Sequence, residues 1–168
     1  NLKKKTQTLS VWIYNYNTTQ WVYWKSPDAV PSNKSIRVQD RLTFEPADAT
    51  FVNGSLWMST YAHGLVQYSI GDSLTARFYT VATNKNLPKD LTEICIDPAD
   101  KQQFWLGSRG GGLVLWHTVK GLQRVFTTDD GLPNNTIYCI LADKAGNIWC
   151  STNKGIFRLI KKVQKTLI

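Results

Sequence analysis

The sequence predicts an all-β chain of four-stranded antiparallel sheets repeated along its length, and three observations carry that prediction. The first is a phrase that occurs three times with tryptophan at its head. It reads Trp57-Met58-Ser59-Thr60 leading to Gly64-Leu65, Trp105-Leu106-Gly107-Ser108 leading to Gly112-Leu113, and Trp149-Cys150-Ser151-Thr152 leading to Gly155-Ile156. Each copy has the shape strand, glycine-bearing turn, strand. The second is the spacing: the tryptophans lie 48 and 44 residues apart, the length of one blade of a β-propeller. The third is a frame upstream of each phrase. Leu132-Pro133, then Ile137 to Asp143, precede Trp149, while Leu87-Pro88, then Glu93-Ile94-Cys95-Ile96-Asp97, precede Trp105. A fainter trace, Val30-Pro31 followed by Phe44-Glu45-Pro46-Ala47-Asp48, precedes Trp57. A unit of this size cannot bury its own apolar faces and must stack on neighbours.

Each element follows from local chemistry. Ile94 and Ile96 alternate with polar residues, as a half-buried strand requires. Asp130-Gly131, Leu132-Pro133 and Gly146-Asn147 punctuate the joins, where turns need special backbone angles. With strands lettered A to D from the inside of a blade outward, the last blade reads A 136–142, B 147–152 and C 155–160, with D to follow. The preceding blade reads A 92–97, B 103–108, C 112–118 and D 122–127. The one before it reads B 55–60, C 64–70 and D 75–80, with strand A at either Ile36 to Asp40 or Leu42 to Glu45.

Toward the N-terminus, Val11 to Tyr16 and Gln20 to Lys25 form two strands around Asn17-Thr18-Thr19. They align without gaps on Leu113 to Thr118 and Leu122 to Thr127, which makes them strands C and D; this register is preferred. The rival register makes them B and C, because Trp12 lies 45 residues before Trp57. The predicted organisation is therefore a half blade over 1–34 and blades over 35–83, 84–128 and 129–168. That is a partial β-propeller of about three and a half blades, against four to eight in a closed ring. The chain is read as a piece of a larger protein, with self-association as a way to cover its exposed blade faces.

The residues that carry the repeat most clearly are Asp130-Gly131-Leu132-Pro133-Asn134-Asn135-Thr136-Ile137 and Asp143-Lys144-Ala145-Gly146-Asn147-Ile148-Trp149, continuing to Ile156. This run resembles the two-component regulator propeller repeat; Cys150 departs from the usual small residue after the tryptophan. The resemblance implies the periplasmic sensor domain of a Bacteroides-type hybrid two-component system, anchored in the inner membrane and carrying a histidine kinase elsewhere. It further implies a role in sensing oligosaccharides and passing a signal across the membrane. The alternative reading is a non-catalytic propeller scaffold for protein–protein interaction or self-association.

Composition narrows the field. The net charge of +8 invites a nucleic-acid reading, yet Lys3, Lys4, Lys5, Lys161, Lys162 and Lys165 supply six of those charges at the two ends. Residues 6–160 hold 14 basic and all 12 acidic side chains, not the clustered basic face that nucleic acid demands. No apolar run approaches the length of a membrane helix, so this segment is expected not to insert. Three cysteines, Cys95, Cys139 and Cys150, form no Cys-x-x-Cys pair and read as small apolar groups. A Cys139–Cys150 disulfide is the other option across that strand pair. With only two histidines and no phosphate-binding loop, no catalytic residue, metal site or cofactor is expected.

Strands alternate in direction, so B–C turns and D–A joins gather on one end of the sheets. That end collects Tyr61, His63, Arg109, Asn153 and Lys154 from the turns and Asn135 from a join. A sugar site needs rings to stack on and amide or guanidinium groups for hydroxyls, so these six are the candidate ligand-binding residues. Trp57, Trp105 and Trp149 are expected instead in the cores between blades.

Overall fold

The structure, a computed structural model, describes residues 10–15, 19–25, 45–70 and 74–160. The chain divides into two compact units, Asn1–Phe44 and Glu45–Ile168. Among its described residues the first contains an antiparallel hairpin, β1 (Ser10–Asn15) and β2 (Gln20–Lys25), in register from Ser10 opposite Lys25 to Asn15 opposite Gln20. Such a hairpin accommodates either of the two blade registers.

The second unit is three antiparallel sheets in simple up-and-down order. β3 (Glu45–Val52), β4 (Ser55–Tyr61), β5 (Gly64–Ile70) and β6 (Leu74–Tyr79) form the first. β7 (Leu91–Ile96), β8 (Gln103–Ser108), β9 (Leu113–His117) and β10 (Gly121–Phe126) form the second. β11 (Ile137–Ala142), β12 (Ile148–Thr152) and β13 (Gly155–Leu159) form the third. The chain is thus all-β, with a single 3-10 turn at Thr128–Asp130 among the described residues. The fourth strand expected after residue 160 and the strand-A option at Ile36 to Asp40 lie outside the described residues.

The inner strand of the first sheet differs from expectation: it runs from Glu45, where the second option ended, to Val52. Pro46 lacks an N–H for a sheet ladder. The structure places Pro46 at a bulge, where pairing shifts between Pro46 and Asp48 and no ladder bond is needed. The same bulge recurs in the other inner strands, between Leu91 and Ile94 and between Ile137 and Cys139.

Pairing opposite the tryptophans fixes the repeat equivalences. Thr50, Cys95 and Leu141 stand across from Trp57, Trp105 and Trp149. Two seams follow. Trp57 and Leu65 on the front of the first sheet pack against Leu87, Leu91, Ile94, Phe104, Val114 and Trp116. Trp105 and Leu113 on the front of the second pack against Leu132, Ile137, Ile140, Ile148 and Cys150. Within the first seam Trp57 stacks on Tyr79 at 5.7 Å and meets Trp116 edge-on at 6.3 Å. Burying one such indole contributes about 4–6 kcal/mol as an upper figure, at 25 cal/mol per Å² over 150–250 Å².

Polar bonds reinforce both seams at the inner strand. The Asp48 carboxylate accepts from Ile94 N at 3.0 Å, and the Glu93 carboxylate accepts from Ile140 N at 2.7 Å. Cys139 occupies the equivalent position in the third sheet.

Trp149 departs from its counterparts. Trp57 and Trp105 are 1% and 2% exposed, but Trp149 is 36% exposed, so it is not core. The Cys95 position likewise does not predict burial, since its equivalent Leu141 is exposed. Both differ for one reason: among the described residues of the second unit no further sheet packs on the front of β11–β13. The three thiols are free. Cys150 pairs with Ile140 and Cys139 with Ser151, so alternation puts the two thiols on opposite faces. Only Cys150 is fully buried, and burial pushes its thiol up to about 12.

Candidate functional site

The turns that gather at one end of the sheets are built by one repeated device. In each, a hydroxyl at the end of strand B donates across the turn to the glycine carbonyl: Thr60 to Gly64 at 2.8 Å, Ser108 to Gly112 at 2.6 Å, Thr152 to Gly155 at 3.0 Å. The glycines sit at positive φ (76°, 87° and 98°), where a side chain is strained. The residue after each hydroxyl therefore occupies an equivalent place in every turn, and those residues are Tyr61, Arg109 and Asn153.

The first two turns are each tied to the join that follows the neighbouring outer strand. Gly64 N donates to Lys89 O and Gly112 N to Asn135 O, both at 2.8 Å. Asp90 clasps two turns, accepting from Ala62 N on its carboxylate at 2.7 Å and from Arg109 N on its carbonyl at 2.9 Å. This clasp brings the first two turns together, and the Arg109 guanidinium lies 4.7 Å over the Tyr61 ring. The pair spans two sheets, with a planar cation on one face of the ring.

The remaining predicted residues fare differently. His63 is half-buried in the same turn as Tyr61. Asn153 is exposed and accepts from the Tyr138 hydroxyl. Lys154 is exposed, with its backbone N–H donating to Thr152 Oγ1 at 3.0 Å. Asn135 is already engaged: its Oδ1 accepts from Thr128 N at 2.7 Å and its carbonyl holds Gly112. It shapes the join and offers little to a ligand. The same join is braced by Asp130, which accepts from Arg124 at 2.8 Å and from Thr127 N at 3.0 Å. The Arg124 bond is the largest cause holding the Asp130 carboxyl below its ordinary value.

Sequence reasoning missed Asp90 and Tyr138. Asp90 carried one weak signal, its place between Leu87-Pro88 and the inner strand; Tyr138 carried none, because it sits at the inner-strand bulge. An open cleft of about 550 Å³ also lies at this end, lined by Asn86, Gly111, Leu122, Gln123, Arg124, Val125 and Thr127. None of the six predicted residues lines it. Among the described residues no group of three His, Cys, Asp or Glu side chains is placed to hold a metal. No helix among them is long and apolar enough to cross a membrane.

Repeated antiparallel sheets of three or four described strands, stacked through tryptophan seams, define a propeller-type fold. Residues 131–154 match the family described as Two component regulator propeller. The fold is similar to the extracellular domain of BT3049 from B. thetaiotaomicron, a protein described as a hybrid two component system. The TM-score is 0.64 at 19% identity, covering 91% of this chain and 20% of that one. Two structures of the extracellular domain of BT4673 from the same organism, described once as a one component and once as a hybrid two component system, are also similar. Their TM-scores are 0.58 and 0.59 at 20% identity, covering 95% of this chain and 21% of theirs. The chain thus spans about a fifth of the length of these solved structures. No curated protein matches it by sequence.

Proposed function

We propose that the chain is part of the periplasmic sensor propeller of a two-component signalling protein, and that its turn-bearing end helps to recognise an oligosaccharide. The observation that carries this reading is the two component regulator propeller match at 131–154, on a fold shared with extracellular domains of such systems. In this reading the segment is non-catalytic, and residues 35–83, 84–128 and 129–168 each supply a blade after a half blade over 1–34. Signal transduction and the histidine kinase belong to the longer parent, anchored in the inner membrane.

The chemistry of the turns supports the ligand class. Arg109 presents a fork of N–H donors to hydroxyls or a carboxylate, Asn153 an amide, and Lys154 and His63 further donors. Because Arg109 covers one face of Tyr61, a sugar ring stacks on the opposite face or displaces the guanidinium. A thermal-shift screen against neutral and acidic oligosaccharides tests the reading. One glycan class is expected to raise the melting temperature, and Arg109→Ala and Tyr61→Ala to abolish the shift. No shift with any glycan, in this chain or in the intact sensor, would overturn it.

A second reading, an interaction scaffold that binds protein or its own copy, is favoured by one observation: the large apolar side chains Leu141, Trp149 and Ile156 are exposed on the third sheet.

A further inference from the structure

The first two turns and the join between them carry an uneven charge. Residues 61–64, 80–90 and 109–112 hold Lys85, Lys89 and Arg109 against one carboxylate, Asp90. That carboxylate is already engaged in the fold, since its Oδ1 accepts from Ala62 N. Lys85, Lys89 and Arg109 are exposed and make no ion pair among the described residues. The next join, residues 127–136, holds Asp129 and Asp130 and neither lysine nor arginine. At the opposite end, the described loops 53–54, 97–102, 118–120 and 143–147 balance Lys101, Lys120 and Lys144 against Asp97, Asp100 and Asp143. The excess of cations is therefore local to one join.

Backbone bonds hold those cations in place. Lys89 O accepts from Gly64 N and Asp90 O from Arg109 N, so residues 89–90 sit between the two turns. Lys85 and Asn86 are the central residues of a turn closed by Leu87 N donating to Asn84 O at 2.9 Å, ahead of the buried Leu87. Gly111 lets the Arg109 turn lie close on the same join, because a Cβ there would come within 2.5 Å of Pro88. A guanidinium donates in its own plane, so the Tyr61 ring under Arg109 leaves the fork of N–H donors open. A carboxylate or sulfate matches that fork with parallel bonds and leaves Arg109 on the ring. A neutral sugar that stacks on this face of Tyr61 has to displace it.

We propose that the ligand of this end is an acidic oligosaccharide, with a carboxylate or sulfate on the Arg109 fork and Lys89 and Lys85 beside it. The inference rests on the oligosaccharide reading above and names the chemical class of the sugar. The two lysines are exposed, so they attract the anion at range and add little in contact. Arg109 is pinned between a ring and a bonded turn, so it fixes the orientation of the anion and supplies the larger share of the preference.

Titration calorimetry on the full chain and on the intact sensor tests it with matched pairs of probes. One pair is tetragalacturonate and its methyl ester; the other is a sulfated galactan tetrasaccharide and its desulfated form. The acidic member of one pair should bind roughly tenfold tighter or more than its neutral partner, and which pair responds tells carboxylate from sulfate. That preference should shrink as salt rises from about 0.01 to about 0.5 M. Arg109→Ala should remove it, Arg109→Lys should restore only part, and Lys89→Gln should cost about two- to fivefold. Lys120→Gln removes the same charge from the opposite end and should leave the affinity unchanged. All three residues are exposed, so each variant should melt with the parent. Equal binding within both pairs, or a preference that survives Arg109→Ala, would overturn the acidic class while sparing the oligosaccharide reading. No binding of either acidic probe would also overturn the acidic class, and the oligosaccharide reading falls with it only if the neutral probes and the wider screen give nothing.

Discussion

Replacing Asp97 with alanine removes the polar anchor of the second seam. Asp97 is fully buried, and its Oδ2 accepts from the Trp105 indole N–H at 2.9 Å. Its Oδ1 accepts from Ala99 N at 2.9 Å and Asp100 N at 3.2 Å, which shapes the turn into β8. Alanine strands a buried indole donor, at about 1–3 kcal/mol. Losing the turn bonds costs about 0.5–2 kcal/mol more, by analogy with a helix cap, and relief of carboxylate desolvation offsets part of the total. The expected loss is about 3 kcal/mol, or roughly 6–12 °C in melting temperature for a domain of this size. The first seam supplies a natural comparison. Val52 stands at the Asp97 position there, and Trp57 Nε1 is buried without a hydrogen-bond partner. Urea unfolding of Asp97→Ala, Trp105→Phe and the double variant isolates the indole share, expected as a coupling of about 1–2 kcal/mol. A loss under about 1 kcal/mol, or an Asp97→Ala cost that is unchanged when Trp105→Phe is already present, would refute the reasoning.

Two further outcomes follow from the turns. Gly112 and Gly110 both have positive φ, but a Cβ on Gly112 would lie 2.0 Å from the Phe126 carbonyl oxygen while one on Gly110 meets nothing. Gly110→Ala should cost about 1–2 kcal/mol from left-handed strain alone, and Gly112→Ala clearly more; equal costs in denaturant titration would contradict this. Asp143 accepts from Trp149 Nε1, Asn147 and Ala145, and these bonds, the indole foremost, hold its carboxyl at about 2 against an ordinary 3.8. A depressed folded-state value means that the stabilisation is complete above pH 3.8 and is lost as pH falls through about 2. Acid unfolding followed by tryptophan fluorescence should therefore be shallower over that window in Asp143→Asn, and an unchanged profile would count against the assignment.

The repeat was legible because its signals are local. Tryptophan, hydroxyl and glycine recur in order, and the strands they predict fall within a residue or two of those observed. What was hidden depends on partners distant in sequence. Trp149 carries the same phrase as Trp105, yet its burial is decided by whether another sheet covers it. The Asp48 and Glu93 carboxylates bond amides 46 and 47 residues away, and nothing local marks them. The strand-A options before Trp57 end no later than Glu45, yet the strand continues through Pro46 because a bulge removes the penalty of its missing N–H. At the candidate site, residue type suggested Tyr61 and Arg109. Their stacking needed the Asp90 clasp, which no spacing rule supplies, and the same loop bonding that gathers the turns occupies Asn135.

Hydrogen–deuterium exchange with and without the oligosaccharide that most raises the melting temperature tests most directly which end of the sheets meets the ligand. Protection is predicted at residues 61–64, 80–90 and 109–112, where the first two turns and their join converge. Protection at 53–54, 97–102 and 143–147, on the opposite end, or no change with any glycan, would contradict the account.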